Sequence, residues 1–181
     1  MRIKALMHLV IFINFPFTLC IGQNYTWDYS YQLANDRDQK INDFDFYDNE
    51  NILAVGNYYE NLANNSKPII LSFANDGTLI SDFKSGFDSL ENGEFHFVKS
   101  IPNEPNTFYV GGFLFEIGKG NNDRILKIDS GLNIIWSKTF TYPTFYSGFK
   151  DAVVLPDKSI ITVGEYLSTN SYDIIARRLD S

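Results

Sequence analysis

Cysteine is nearly missing from this chain. Cys20 is the single one among 181 residues, and histidine occurs only at His8 and His96. One cysteine excludes an intrachain disulfide and a thiolate cluster for a metal, so stability must come from packing. Long apolar runs are scarce as well. The longest, Ala5 to Leu19, contains Pro16 and is shorter than the roughly 20 residues that cross a bilayer as a helix. Positive charge is in deficit, with 15 basic against 22 acidic residues and a net charge of −7. Such a surface repels phosphate backbones, so nucleic-acid binding is not expected. Helical periodicity is absent throughout. The glycine-rich "GGFLFEIGKG" (Gly111 to Gly120) lacks the following helix that would hold a phosphate.

What the chain does hold is 44% hydrophobic and 16% aromatic residues, enough to build the core of one ordinary domain. Its first residues have their own logic. Arg2 and Lys4 precede the apolar run, and the small Gly22 follows before Gln23, which is the pattern of a signal peptide over residues 1–22. A retained membrane anchor is the competing reading. Lipid attachment at Cys20 is another, but bulky Leu19 stands where a lipoprotein signal wants a small residue. The cleaved product, residues 23–181, would carry no cysteine, no membrane span and, without Arg2 and Lys4, a net charge of −9. An exported, disulfide-free domain of this size points to a bacterial protein that is secreted or held at the cell surface.

Three segments align with one another: "FDFYDNENILAVGNYYE" from Phe44, "FHFVKSIPNEPNTFYVGGFLFE" from Phe95 and "FKDAVVLPDKSIITVGEYLS" from Phe149. Each has a short strand, a turn rich in Asp, Asn, Pro or Glu, and a second strand ending in Val-Gly. The glycines Gly56, Gly111 and Gly164 lie 55 and 53 residues apart. Downstream, "PIILSFANDGTLISDF", "RILKIDSGLNIIWSKTF" and "DIIARRLDS" each open as a β-branched strand running into a turn, with Gly77 and Gly131 in the first two turns. A period near 53 residues holding four short strands predicts an all-β fold of β-propeller type, with about three four-stranded antiparallel blades over about 41–83, 95–140 and 149–181. Runs such as Ile52-Leu53-Ala54-Val55 suit inner strands covered on both faces. The recurrent glycine suits a bulge or a close backbone approach.

"WDYSY" (Trp27 to Tyr31) resembles "WSKTF" (Trp136 to Phe140), so residues 27–31 read as a lone fourth strand. Two readings of the last segment, which supplies only three strands, then compete. Either residues 27–31 complete it, which needs a ring of only three blades, below the usual four to eight, or the ring is completed by further blades beyond residue 181. The second is the expectation.

These repeats resemble the secreted bacterial proteins of the seven-bladed β-propeller repeat type. The resemblance rests on the Val-Gly of the second strand, on "DRILKIDSG" (Asp123 to Gly131) and "DIIARRLDS" (Asp173 to Ser181), and on the tryptophan of "IIWSKTF", and covers roughly residues 27 to 181. It implies an exported repetitive β-architecture, often part of a larger surface or secreted polypeptide, with no catalytic motif carried over. The first copy departs from the pattern, having "SFANDG" where the second has "KIDSG".

Candidate chemistry is thin. His96 lies in an alternating "FHFVKS" strand with no second candidate base or nucleophile recurring with it, so it reads as an outward or blade-facing side chain. Asp76-Gly77 reads as a turn and lacks calcium-loop spacing. No catalytic residue, metal or cofactor is expected. Carboxylates such as Asp43, Asp45, Asp82, Asp88, Glu94 and Asp151 leave open a carbohydrate-active hydrolase or lyase with acids at a channel mouth, but spacing in sequence assigns no pair. Aromatics are more suggestive. Tyr58, Tyr59, Phe113, Phe115, Tyr142, Tyr146, Tyr166 and Tyr172 fall in or beside connections expected at one rim, next to amides, a mixture suited to a glycan or a protein ligand. The plainer reading wedges these rings between blades. The leading expectation is a noncatalytic exported binding or structural scaffold.

Overall fold

Alternating and β-branched runs punctuated by Asp, Asn, Pro and Gly build strands and little else. The computed structural model describes residues 39–47, 51–59, 66–83, 91–116, 120–141, 147–167 and 171–180, which all belong to one compact unit, Gln32–Ser181. The expected leader with Cys20, the expected strand at 27–31, and Tyr142 and Tyr146 lie outside the described residues. No described residue is helical.

The strands are β1 (Gln39–Tyr47), β2 (Asn51–Tyr59), β3 (Ser66–Phe73), β4 (Leu79–Phe83), β5 (Glu91–Ser100), β6 (Thr107–Glu116), β7 (Gly120–Asp129), β8 (Ile134–Thr141), β9 (Ser147–Val154), β10 (Ile160–Leu167) and β11 (Tyr172–Leu179). They form three antiparallel sheets, each a simple meander: β1-β2-β3-β4, β5-β6-β7-β8, and β9-β10-β11. The all-β antiparallel expectation is met, with three strands rather than four in the third sheet among the described residues.

Turn geometry repeats. Ala74 to Thr78, Asp129 to Asn133 and Leu155 to Ser159 each close with a bond from the first amide to the fifth carbonyl and one from the fourth amide to the first carbonyl, while the fifth amide donates to an Asp side chain, that of Asp76, Asp129 or Asp157. The fourth residue has positive φ in all three: Gly77 (85°), Leu132 (65°) and Lys158 (67°). Here Gly131 is not the counterpart of Gly77. Leu132 takes the left-handed position, at a cost that its nearly complete burial in the core helps to offset.

The second strand of each sheet carries a glycine beneath a bulge in the strand before it. Gly56 pairs with Ile41, Gly112 with Phe95 and Gly164 with Phe149, and in each case the next residue of the partner strand, Asn42, His96 or Lys150, drops out of register. A Cβ on these glycines would sit 1.8 Å from the Lys40 carbonyl oxygen, 2.0 Å from that of Glu94 and 2.4 Å from that of Gly148. The sequence alignment on Gly111 is therefore off by one. Gly111 pairs with Phe97, beyond the bulge, and is kept small by the Phe97 ring instead.

The sheets pack face to face in series. β5 lies against β1, β2 and β3 of the first sheet, and β9 against β5, β6 and β7 of the second. Leu53, Val55 and Ile70 of the first sheet meet Phe95, Val98, Val110 and Leu126 of the second. On the far side of the second sheet, Phe97, Tyr109 and Ile125 meet Phe149, Ile160 and Leu179 of the third. A further buried group, Ala54, Tyr58, Ile69 and Leu71, occupies the outer face of the first sheet.

Candidate functional site

In a meander sheet, alternate connections lie at opposite ends. The β2–β3, β6–β7 and β10–β11 connections therefore share one end, and the tight turns occupy the other. Tyr59, Phe113, Phe115, Tyr166 and Tyr172 all stand at the first of these ends, on the last residues of β2, β6 and β10 or the first of β11.

Side-chain alternation sorts them by face. Phe113 and Phe115 share the parity of Tyr109 and Gly111, which face the third sheet, whereas Tyr166 shares that of Ile160 and Thr162, which face the second. These three rings thus point toward one seam, between the second and third sheets. Phe113 packs at 61° to the His96 ring with centroids 5.5 Å apart, and Gly148 lies against its edge. Phe115 is exposed and Tyr166 is partly so. Tyr59 points into the other seam, toward the second sheet. Tyr172 is 67% exposed, on the outer face of the third sheet. Tyr58 is 4% exposed within the apolar group on the first sheet, so it is a core residue and not a rim contact.

Polar groups gather at the same end. His96 is the bulged residue of β5. Its Nδ1–H donates to the Phe149 carbonyl at 2.5 Å across the seam, and its Nε2 stands 3.3 Å from Glu94 Oε2. Ser66 Oγ donates to the Gly93 carbonyl and lies 3.4 Å from Glu94 Oε1. The His96 hydrogen bond, partly opposed by burial, holds the Glu94 carboxyl below its ordinary value. Asn57 and Asn122 are buried, yet neither amide atom of Asn57 nor the side-chain oxygen of Asn122 has a hydrogen-bond partner among the described residues. An unmet buried amide costs about 1–3 kcal/mol. This end therefore retains unused hydrogen-bonding capacity.

His96 is engaged on both ring nitrogens, which removes it as a free base, and no hydroxyl or thiol stands against it as a nucleophile in the described contacts. No group of three or more His, Cys, Asp or Glu able to hold a metal occurs among the described residues. Asp43, one of the carboxylates considered for acid chemistry, is engaged by the Val98 amide at 3.0 Å and by Lys99 Nζ at 2.8 Å. Asp151 reaches the same ammonium at 3.3 Å. Burial works to lower the Lys99 ammonium, but Asp43 and Asp151 outweigh it and hold it above its ordinary value. These acids tie sheets together. Ser66 and Asn57 carried no sequence signal, and Glu94 stood only as one acid among several, because nothing in their spacing marks which face they take.

No described helix is long and apolar enough to cross a membrane. No protein-family model matches this chain, and no curated protein matches it either.

Proposed function

We propose that this chain is an exported, noncatalytic module of β-propeller type, its three sheets being successive blades, which serves as a binding or structural scaffold at the cell surface or outside the cell. One observation carries the reading. The bulged residue of each of the first two sheets donates to the carbonyl before the bulge of the next: Asn42 Nδ2 to Phe95 O at 2.7 Å, and His96 Nδ1 to Phe149 O at 2.5 Å, both 53 residues on. A repeated interlock at one spacing is what stacked copies of a single unit produce. Export follows from the leader-like residues 1–22, and N-terminal sequencing of the product released by a host cell tests it, with Gln23 as the expected first residue.

The ligand-binding part is the seam end where Phe113, Phe115 and Tyr166 converge beside His96. Exposed ring faces with neighbouring amides suit the apolar face and polar edge of a sugar ring or a peptide segment. On a glycan array, Phe115→Ala with Tyr166→Ala is expected to weaken binding at least tenfold while leaving the melting temperature nearly unchanged. Tyr58→Ala, the core control, is expected to lose about 3–5 kcal/mol of stability, as buried aromatics do. Unaltered binding in the double variant would remove this site, and polysaccharide turnover by the parent protein would overturn the noncatalytic reading.

A further inference from the structure

Three side chains and one carbonyl link all three sheets at the end of the fold that carries the aromatic residues. Ser66 Oγ of β3 stands 3.4 Å from Glu94 Oε1, Glu94 Oε2 stands 3.3 Å from His96 Nε2 on the same strand, β5, and His96 Nδ1 reaches the Phe149 carbonyl of β9. The His96 and Glu94 side chains are 11% and 21% exposed, so water is a poor substitute for a lost partner.

The imidazole has an acceptor on each side. A main-chain carbonyl can only accept, and so can an ionised carboxylate. Glu94 is held in that ionised form: the hydrogen bond from His96 draws its carboxyl below the ordinary value, against the opposing effect of burial, with smaller contributions from Lys40 and Ser66. A neutral imidazole carries one N–H and serves only one of the two oxygens, whereas the imidazolium carries two and serves both. Loss of the proton therefore sets a nitrogen lone pair against an oxygen, at Glu94 if the remaining N–H stays on Nδ1 and at Phe149 if it moves to Nε2.

The equivalent joint between the first and second sheets lacks this property. Asn42 occupies in β1 the bulge that His96 occupies in β5, and donates to the Phe95 carbonyl at 2.7 Å through an amide, which does not titrate. The other charged or titratable groups around the pair are Lys40 of β1, Asp123 of β7 and Tyr166 of β10, the last two facing the same seam as His96, and Lys150 of β9, which is 3.0 Å from Glu165 of β10. Of these side-chain types only histidine changes charge between about pH 5 and 8. Phe113, whose ring packs against that of His96 with centroids 5.5 Å apart, would carry a movement of the imidazole into the aromatic seam.

We propose that His96 is a proton-controlled latch between the second and third sheets: the imidazolium ties Glu94 to the Phe149 carbonyl, and loss of its proton releases one of the two contacts and loosens that seam while the Asn42 joint holds. The latch does not depend on a ligand entering the seam.

Nitrogen NMR of the histidine-labelled chain tests this, with the His96→Asn spectrum assigning the signal. Both ring nitrogens of His96 should be protonated at about pH 5.5 and only one at about pH 8. Over the same range, hydrogen-exchange protection of the β9 amides should fall at least about tenfold, while that of β2 and β3 stays within about twofold. His96→Asn copies the Asn42 joint, keeping a donor for the Phe149 carbonyl without the proton, so its β9 protection should match that of the parent at the acidic end and not change with pH. His96→Ala should show low β9 protection at both ends. A parent ring carrying one proton at about pH 5.5, parent β9 protection that does not change with pH, the same fall in His96→Asn, or an equal fall in β2 and β3 would each overturn the latch.

Discussion

Glu104 shows how a single side chain at the turn end ties strands together. It lies in the connection between β5 and β6, 2.7 Å from Lys127 Nζ on β7 and 2.9 Å from Lys158 Nζ in the turn between β9 and β10. Hydrogen bonds from the two ammonium groups lower its carboxyl from the ordinary 4.5 to about 2. A carboxyl depressed in the folded state contributes stability that is fully present above its unfolded value and is lost as pH falls through the folded one. Chemical denaturation between pH 7 and pH 2 is therefore expected to show stability declining below about 4.5, with Glu104→Gln giving a shallower decline across that window. A variant as acid-sensitive as the parent would mean that solvent screens these pairs fully. Residue identity alone also misleads at Tyr58 and Tyr59. The two are adjacent and identical in chemistry, and the pleat sends one into an apolar cluster and the other toward a seam.

At the scale of the strand, the decisive feature is the bulge paired with a glycine. A methyl group at Gly112 would have to displace the Glu94 carbonyl oxygen from 2.0 Å, and that backbone is pinned on the far side by the interlock of the adjacent His96. Gly112→Ala is thus expected to cost about 2–4 kcal/mol, a fall in melting temperature of roughly 4–16 °C by calorimetry. A loss under 1 kcal/mol would show that the bulge can flatten. The strands, their order and the turn at Asp76-Gly77 were legible in the sequence, because alternation and turn chemistry act locally. The bulge was not. In "VGG" two glycines compete for one structural position, and the choice depends on a carbonyl in another strand. For the same reason the left-handed position in the second turn fell to Leu132 although Gly131 stood beside it. The candidate site was legible only as an end of the fold. Which rings face which seam depends on the parity of each strand against its neighbour, which is set by those same bulges.

For the described unit as a whole, the second sheet is the only one covered on both faces by other described sheets, the first through Val98, Val110 and Leu126 and the third through Phe97, Tyr109 and Ile125. The Tyr109 hydroxyl donates to the Lys158 carbonyl at 3.0 Å, adding a polar tie to that packing. Amides of β6 and β7 are therefore expected to exchange most slowly with deuterium, and those of β8 and β11, which pair on one side only among the described residues and are largely exposed, orders of magnitude faster. Uniform exchange would mean that the three sheets open as one cooperative body.

The interlocking bonds end on main-chain oxygens. Asn42 and His96 need particular side chains in order to donate, but Phe95 and Phe149 accept through a group that every amino acid possesses. The receiving partner is thus free to mutate at that point for any shape the core tolerates, without loosening the joint. Neighbouring units held in this way can diverge in spelling while their mutual seating persists, so kinship among them would outlast in backbone geometry what it loses in letters.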